Sequence, residues 1–128
     1  MTDNPNAPNK YGGTPIHRAA CKGHTEIVKI LVPLTDNPNA PDEDGETPIY
    51  RAAYYGHTNI VKILAPLTEN PNAPDGYGWT PIKWAAYKGN TEIAKILAPL
   101  TDNPNVPDKN GETPIHEAAF YGLSLIHI

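Results

Sequence analysis

The stretch GETPIYRAAYYGHTNIVKILAPLTENPNAPDGY, residues 45–77, is followed at once by GWTPIKWAAYKGNTEIAKILAPLTDNPNVPDKN, residues 78–110. The two agree at 22 of 33 positions, so the chain is built by repetition. The period extends in both directions. Thr14-Pro15-Ile16, Thr47-Pro48-Ile49, Thr80-Pro81-Ile82 and Thr113-Pro114-Ile115 stand 33 residues apart. Ala19-Ala20, Ala52-Ala53, Ala85-Ala86 and Ala118-Ala119 keep the same phase, as do Gly23, Gly56, Gly89 and Gly122. A period in this range is the signature of a stacked array of small units.

Each unit reads as two short helices and a loop. Thr14 is a good N-cap because its hydroxyl can accept from an otherwise unpaired amide. Pro15 fits the first helical position, where the missing N–H has no partner to lose. Ile16, Ala19 and Ala20 then share one helix face, and Gly23 closes the helix as a left-handed cap. A second helix starts near Thr25, with Ile27, Val28, Ile30 and Leu31 as its apolar set. At two or three turns, neither helix persists alone in water, so each must be stabilised by neighbouring units. Pro33, Pro66 and Pro99 remove a backbone donor and should stop or kink the second helix near residues 32, 65 and 98. The loop Asn37-Pro38-Asn39-Ala40-Pro41 is expected to run extended and stiff, since residues before proline avoid the α region.

Composition narrows the function. The chain has 128 residues, one domain's worth, with 15 prolines and a net charge of −4. No stretch gathers several basic residues, which argues against nucleic acid as a partner. No apolar run approaches the length of a membrane span, and the first residues lack the apolar core of a signal peptide. The single cysteine, Cys21, cannot make an internal disulfide, so a reducing, cytoplasmic compartment is the expectation.

With its Thr-Pro-Ile-His (residues 14–17), Ala-Ala, Gly-His (23–24, 56–57), Ile-Val-Lys-Ile-Leu (60–64) and Asn-Ala (39–40, 72–73), the unit resembles the ankyrin repeat. The resemblance covers essentially the whole chain. It implies an all-α solenoid of paired antiparallel helices with projecting β-turn fingers, and a protein-interaction role without catalysis. The repeats run over about 12–44, 45–77 and 78–110, with a partial unit at 111–128 and the tail end of a preceding repeat at 1–11. In place of the Gly-Ala-Asp that usually ends the family's second helix, this chain has Pro-Leu-Thr-Asp/Glu-Asn-Pro. Asn90 replaces the histidine of Gly-His, at the expected loss of one local hydrogen bond.

The ends lack the polar caps usual in solenoids, which leads us to expect a fragment of a longer array. Leu123–Ile128 departs from the repeat and resembles translated adapter read-through. The truncated last unit is expected to fray first.

No residue set supports catalysis. His17, His24, His57, His116 and His127 lack metal-site spacing, and the resemblance gives the first three and His116 a structural role tying turns together. Cys21 reads as a plain surface thiol. The glycines punctuate turns rather than form a phosphate loop, and Asp42, Glu43, Asp44 and Glu46 read as a solvated finger. The expectation is therefore no enzyme, no metal and no cofactor.

The aromatics carry the functional signal. Tyr11, Tyr77 and Trp79 fall in the fingers, and Tyr50, Tyr54, Tyr55, Trp84, Tyr87, Phe120 and Tyr121 in the first helices. None falls in a second helix. The resemblance places such positions on a concave partner-binding face, and aromatics are frequent among binding hot spots. The candidate contact set is Tyr11, Arg18, Tyr50, Arg51, Tyr54, Tyr55, Tyr77, Trp79, Trp84, Tyr87 and Tyr121. Packing between adjacent units is the competing reading, strongest for a ring just before Gly56 or Gly89. Arg18 and Arg51 are expected to add a cationic stretch suited to a partner segment bearing carboxylates. The expected function is a monomeric module that presents the first helices and fingers to a protein or peptide. The alternative is a passive spacer in a longer multidomain protein. The substitutions between the second and third units favour the binder, because Glu46/Trp79, Tyr50/Lys83, Arg51/Trp84 and Tyr55/Lys88 all lie on a finger or a first helix.

Overall fold

In the computed structural model, which describes residues 4–68 and 70–100, the 33-residue period becomes a regular helical array. Helices α1 (Pro15–Lys22), α3 (Pro48–Tyr54) and α5 (Pro81–Tyr87) are the first helices of successive units. Helices α2 (Thr25–Leu31), α4 (Thr58–Leu64) and α6 (Thr91–Leu97) are the second. No strand occurs among the described residues. Each first helix starts as its sequence dictates, with Thr as N-cap and Pro just inside. Thr47 Oγ1 accepts from the Tyr50 amide and Thr80 Oγ1 from the Lys83 amide. At Thr14 the third helical residue reaches back instead, and His17 Nδ1 accepts from the Thr14 amide at 3.1 Å.

The Ala-Ala pairs decide how the units stack. Ala19, Ala20, Ala52, Ala53, Ala85 and Ala86 are all buried, so α1 packs closely on α3 and α3 on α5. Small side chains there keep the first helices near each other. The larger residues Ile16, Ile49, Ile82, Val28, Ile60, Leu64, Ile93 and Leu97 fill the layer between first and second helices. Gly23 closes α1 in the left-handed region at φ +78°, and a Cβ there would lie 2.6 Å from the His57 ring. That ring spans the junction, its Nε2 donating to the Cys21 carbonyl. Asn90 makes a different bond in place of the lost one: its Oδ1 accepts from the Ile93 amide and caps α6.

The prolines act as expected. Each second helix leaves the α conformation at Leu31, Leu64 or Leu97 and continues as one 3₁₀ turn over Val32–Leu34, Ala65–Leu67 or Ala98–Leu100. The following loop differs from the expected extended run. It folds into a turn closed by Ala40 N–H to the Asn37 carbonyl, and likewise Ala7 to Asn4 and Ala73 to Asn70. Proline's fixed φ suits the second position of a turn, and the extended residue before it suits the first. The turn also aims Asn6 and Asn39 at the next unit. Asn6 accepts from the Asp36 amide and donates to the Leu34 carbonyl, and Asn39 donates to the Leu67 carbonyl.

The fingers are closed by one side chain each. Asn9 Oδ1, Asp42 Oδ1 and Asp75 Oδ1 accept from the amides two and four residues on. Neighbouring fingers join through the backbone, Glu43 N–H to the Tyr11 carbonyl and Gly76 N–H to the Asp44 carbonyl. His17 Nε2 also donates across a junction, to the Glu46 carbonyl at 2.9 Å. Burial lowers the His17 pKa and keeps the ring neutral. The partial unit at 111–128, with its expected fraying, lies outside the described residues.

The first unit presents to solvent the helix face that later units bury. Ile27 is 46% exposed, whereas its equivalents Ile60 and Ile93 are fully buried. Replacing Ile60 by Ala should therefore cost about 2–5 kcal/mol in urea unfolding. The same change at Ile27 should cost less than about 1 kcal/mol. Equal losses at the two sites would mean that junction burial does not carry the stability.

Candidate protein-interaction surface

The aromatic residues of the second and third units converge on Trp84. Its ring centroid lies 4.2 Å from Trp79, 4.6 Å from Tyr54 and 5.7 Å from Tyr87. Tyr55 joins through Tyr54 at 4.7 Å, edge to face. These rings come from α3, α5 and the finger preceding α5, so the cluster exists only because two units are stacked. Edge-to-face pairs of this kind contribute about 0.5–1.5 kcal/mol each beyond burial.

A polar chain fixes the hub. Trp84 Nε1–H donates to the Tyr50 hydroxyl at 2.7 Å, and that hydroxyl donates to Asp75. Asp75 is itself held by the finger amides of Tyr77 and Trp79. Burial, then the hydrogen bond to Asp75, raises the Tyr50 pKa, so its hydroxyl keeps the proton it donates. Tyr50 is only 3% exposed. It positions Trp84 and has almost no surface left for a partner, which removes it from the set of direct contacts. A side chain that small in exposed area is held by the junction it helps to build.

The other expected residues fall into three groups. Tyr54, Trp79 and Trp84 are half-buried within the cluster, while Tyr55 and Tyr87 are exposed at its margin. Tyr77 is 74% exposed at a finger tip, and Tyr11 is exposed on the first finger with Lys10 Nζ 5.1 Å from its ring centroid. Tyr11 and Arg18 line a separate depression of about 440 Å³ beside Cys21, Asp44 and Arg51. Tyr121 lies outside the described residues.

The expected cationic stretch is absent in that form. Arg51 pairs with Asp42, and its Nε lies 3.0 Å from Glu46 Oε1. Asp42 is buried, not a solvated finger residue, because it serves both the turn and this ion pair. Arg18, at the equivalent position of the first unit, is exposed.

Sequence reasoning missed the two lysines that replace aromatics in the third unit. Lys88 Nζ sits 3.7 Å from the Tyr54 ring centroid, and Lys83, only 1% exposed, places Nζ 4.8 Å from that of Trp79. Their exchange with Tyr55 and Tyr50 across one period was the available signal. Among the described residues no group of three or more His, Cys, Asp or Glu could hold a metal. No helix among them is long and apolar enough to cross a membrane.

The family profile described as ankyrin repeats (3 copies) matches residues 2–75 and 66–127. The chain belongs to the ankyrin-repeat family. Ankyrin repeats are generally protein–protein interaction modules and generally non-enzymatic. Among curated proteins, none matched the chain. The Trp84 cluster depends on residues of the second and third units.

Replacing Tyr50 by Phe removes the acceptor of Trp84 and the donor to Asp75 together. It should cost about 1–3 kcal/mol and change the tryptophan fluorescence of the folded protein. Tyr55→Phe, at an exposed ring, should stay within about 0.5 kcal/mol. Equal, small effects of the two would show that the polar chain does not hold the hub.

Proposed function

We propose that this ankyrin-repeat domain binds a protein or peptide partner on the face formed by its fingers and first helices, with the Trp84 cluster at the centre. The observation that carries this reading is five contacting rings at one junction, some half-buried and some exposed, with the hub held by hydrogen bonds. Rings that only filled a core would be buried all round, as the aliphatic layer is. Here Tyr55 and Tyr87 keep exposed surface at the margin of a cluster that holds two half-buried tryptophans, which is the layout of a hot spot with its rim. A hub fixed before binding loses little side-chain entropy when a partner arrives. Tyr11 and Arg18 extend the contact surface toward the first unit, with Tyr121 a further contact on the same reading. The domain acts as a monomer in a reducing, cytoplasmic compartment.

The test uses a displayed random-peptide library selected on the whole chain. Peptides that bind should lose at least about tenfold in affinity on a Tyr55→Ser, Tyr87→Ser double variant, whose changes lie at exposed positions. They should bind normally to Lys62→Ala, which alters an exposed second-helix position. If no binder is recovered, or binders ignore both tyrosines, the passive spacer becomes the better account.

A further inference from the structure

Beside the rings lies a pocket of about 310 Å³, lined by Glu46, Tyr50, Arg51, Tyr54, Asp75 and Trp84, with Tyr55 at its edge. Carboxylates and aromatic rings share one small space there. Arg51 neutralises it only in part. The guanidinium is shared between Asp42, whose side chain is buried behind it, and Glu46, so with Asp75 one cation faces three carboxylates. Glu46 and Asp75 each have acceptor capacity to spare. Glu46 meets Arg51 through Oε1, which leaves Oε2, and Asp75 Oδ2 takes a single proton, from Tyr50. Burial raises the Glu46 pKa first, Arg51 pulls it back down, and the carboxylates Asp42, Asp44 and Asp75 push it up again.

The rings show which cation suits them. Lys88 Nζ lies 3.7 Å from the Tyr54 centroid, 5.8 Å from that of Trp84 and 5.9 Å from that of Tyr55. All three distances are within the range of attraction between an ammonium and a ring face. Lys88 engages these rings without lining the pocket. Its side chain is exposed.

We propose that the pocket receives the ammonium group of a lysine presented by a partner protein segment. Inside it the ammonium donates to Glu46 and Asp75, and its methylene stem lies against Tyr54 and Trp84. Lys88 is a like charge at the rim and weakens entry. The inference deepens the binding reading above and rests on it: the partner is basic at this point, the opposite of the carboxylate-bearing segment that Arg18 and Arg51 suggested in the sequence.

Both tryptophans of the chain belong to the cluster, so their fluorescence reports occupancy directly. The probes are N-acetyl-lysine methylamide and its norleucine analogue, titrated at constant ionic strength. Lysine should bind about fivefold or more tighter than norleucine. Glu46→Gln should erase most of that difference, and Lys88→Met should enlarge it by a few fold. Asp75→Asn is a poor single test because Asp75 also closes a finger, so Glu46→Gln carries the argument. Equal binding of lysine and norleucine, or tighter binding of N-acetyl-glutamate methylamide, overturns the proposal. The peptide selection separates this from the broader reading. Selected peptides that need Tyr55 and Tyr87 but carry no lysine would refute the lysine pocket and leave partner binding standing.

Discussion

Everything in this molecule depends on one constraint: no unit can bury its own helices. Each helix has two turns or little more, below the length that survives alone, and the apolar faces of one unit are finished by its neighbours. Ile27 and Ile60 show the constraint in one pair. They occupy the same place in the repeat, yet one is half exposed and the other fully buried, on a helix that packs between α2 and α6. The alanine pairs on the first helices set how closely units approach, and the isoleucines and leucines set how well the layer between helices is filled.

Polar groups then fix what apolar stacking leaves loose. Hydrophobic contact is non-directional, so it brings units together without choosing their alignment. Alignment comes from hydrogen bonds that cross each junction: His17 to the Glu46 carbonyl, His57 to the Cys21 carbonyl, Asn6 and Asn39 to the next 3₁₀ turn, and one backbone bond between fingers. The Asp75–Tyr50–Trp84 chain belongs to this set. It spans the second and third units and turns a structural bond into the support of a surface feature. Function and folding therefore share a junction.

The sequence made the fold legible because its period is carried by residues with strong local meaning. Thr-Pro begins a helix, glycine ends one, and proline halts the second helix at Leu31, Leu64 and Leu97 as expected. The loop after it was read wrongly because two prolines suggested extension, while the turn depends on Asn37 and Ala40 meeting through a backbone bond. The aromatic positions were visible as a set, and their convergence on Trp84 follows from the period once units are stacked. Which ring is exposed was not visible. Tyr50 and Tyr54 lie one helical turn apart, and only the neighbouring finger, through Asp75, decides that Tyr50 turns inward. The charge of the surface was misjudged for a similar reason: Arg51 and Asp42 are nine residues apart, and nothing local announces that they pair.

The central claim is that the Trp84 hub is fixed before any partner arrives. Nitrogen-15 relaxation of the two indole N–H groups in the unbound protein tests this most directly. The account predicts an order parameter for the Trp84 indole close to that of the helix backbone, about 0.85, with slow exchange of its proton. An indole as mobile as an exposed side chain, below about 0.6, would contradict it.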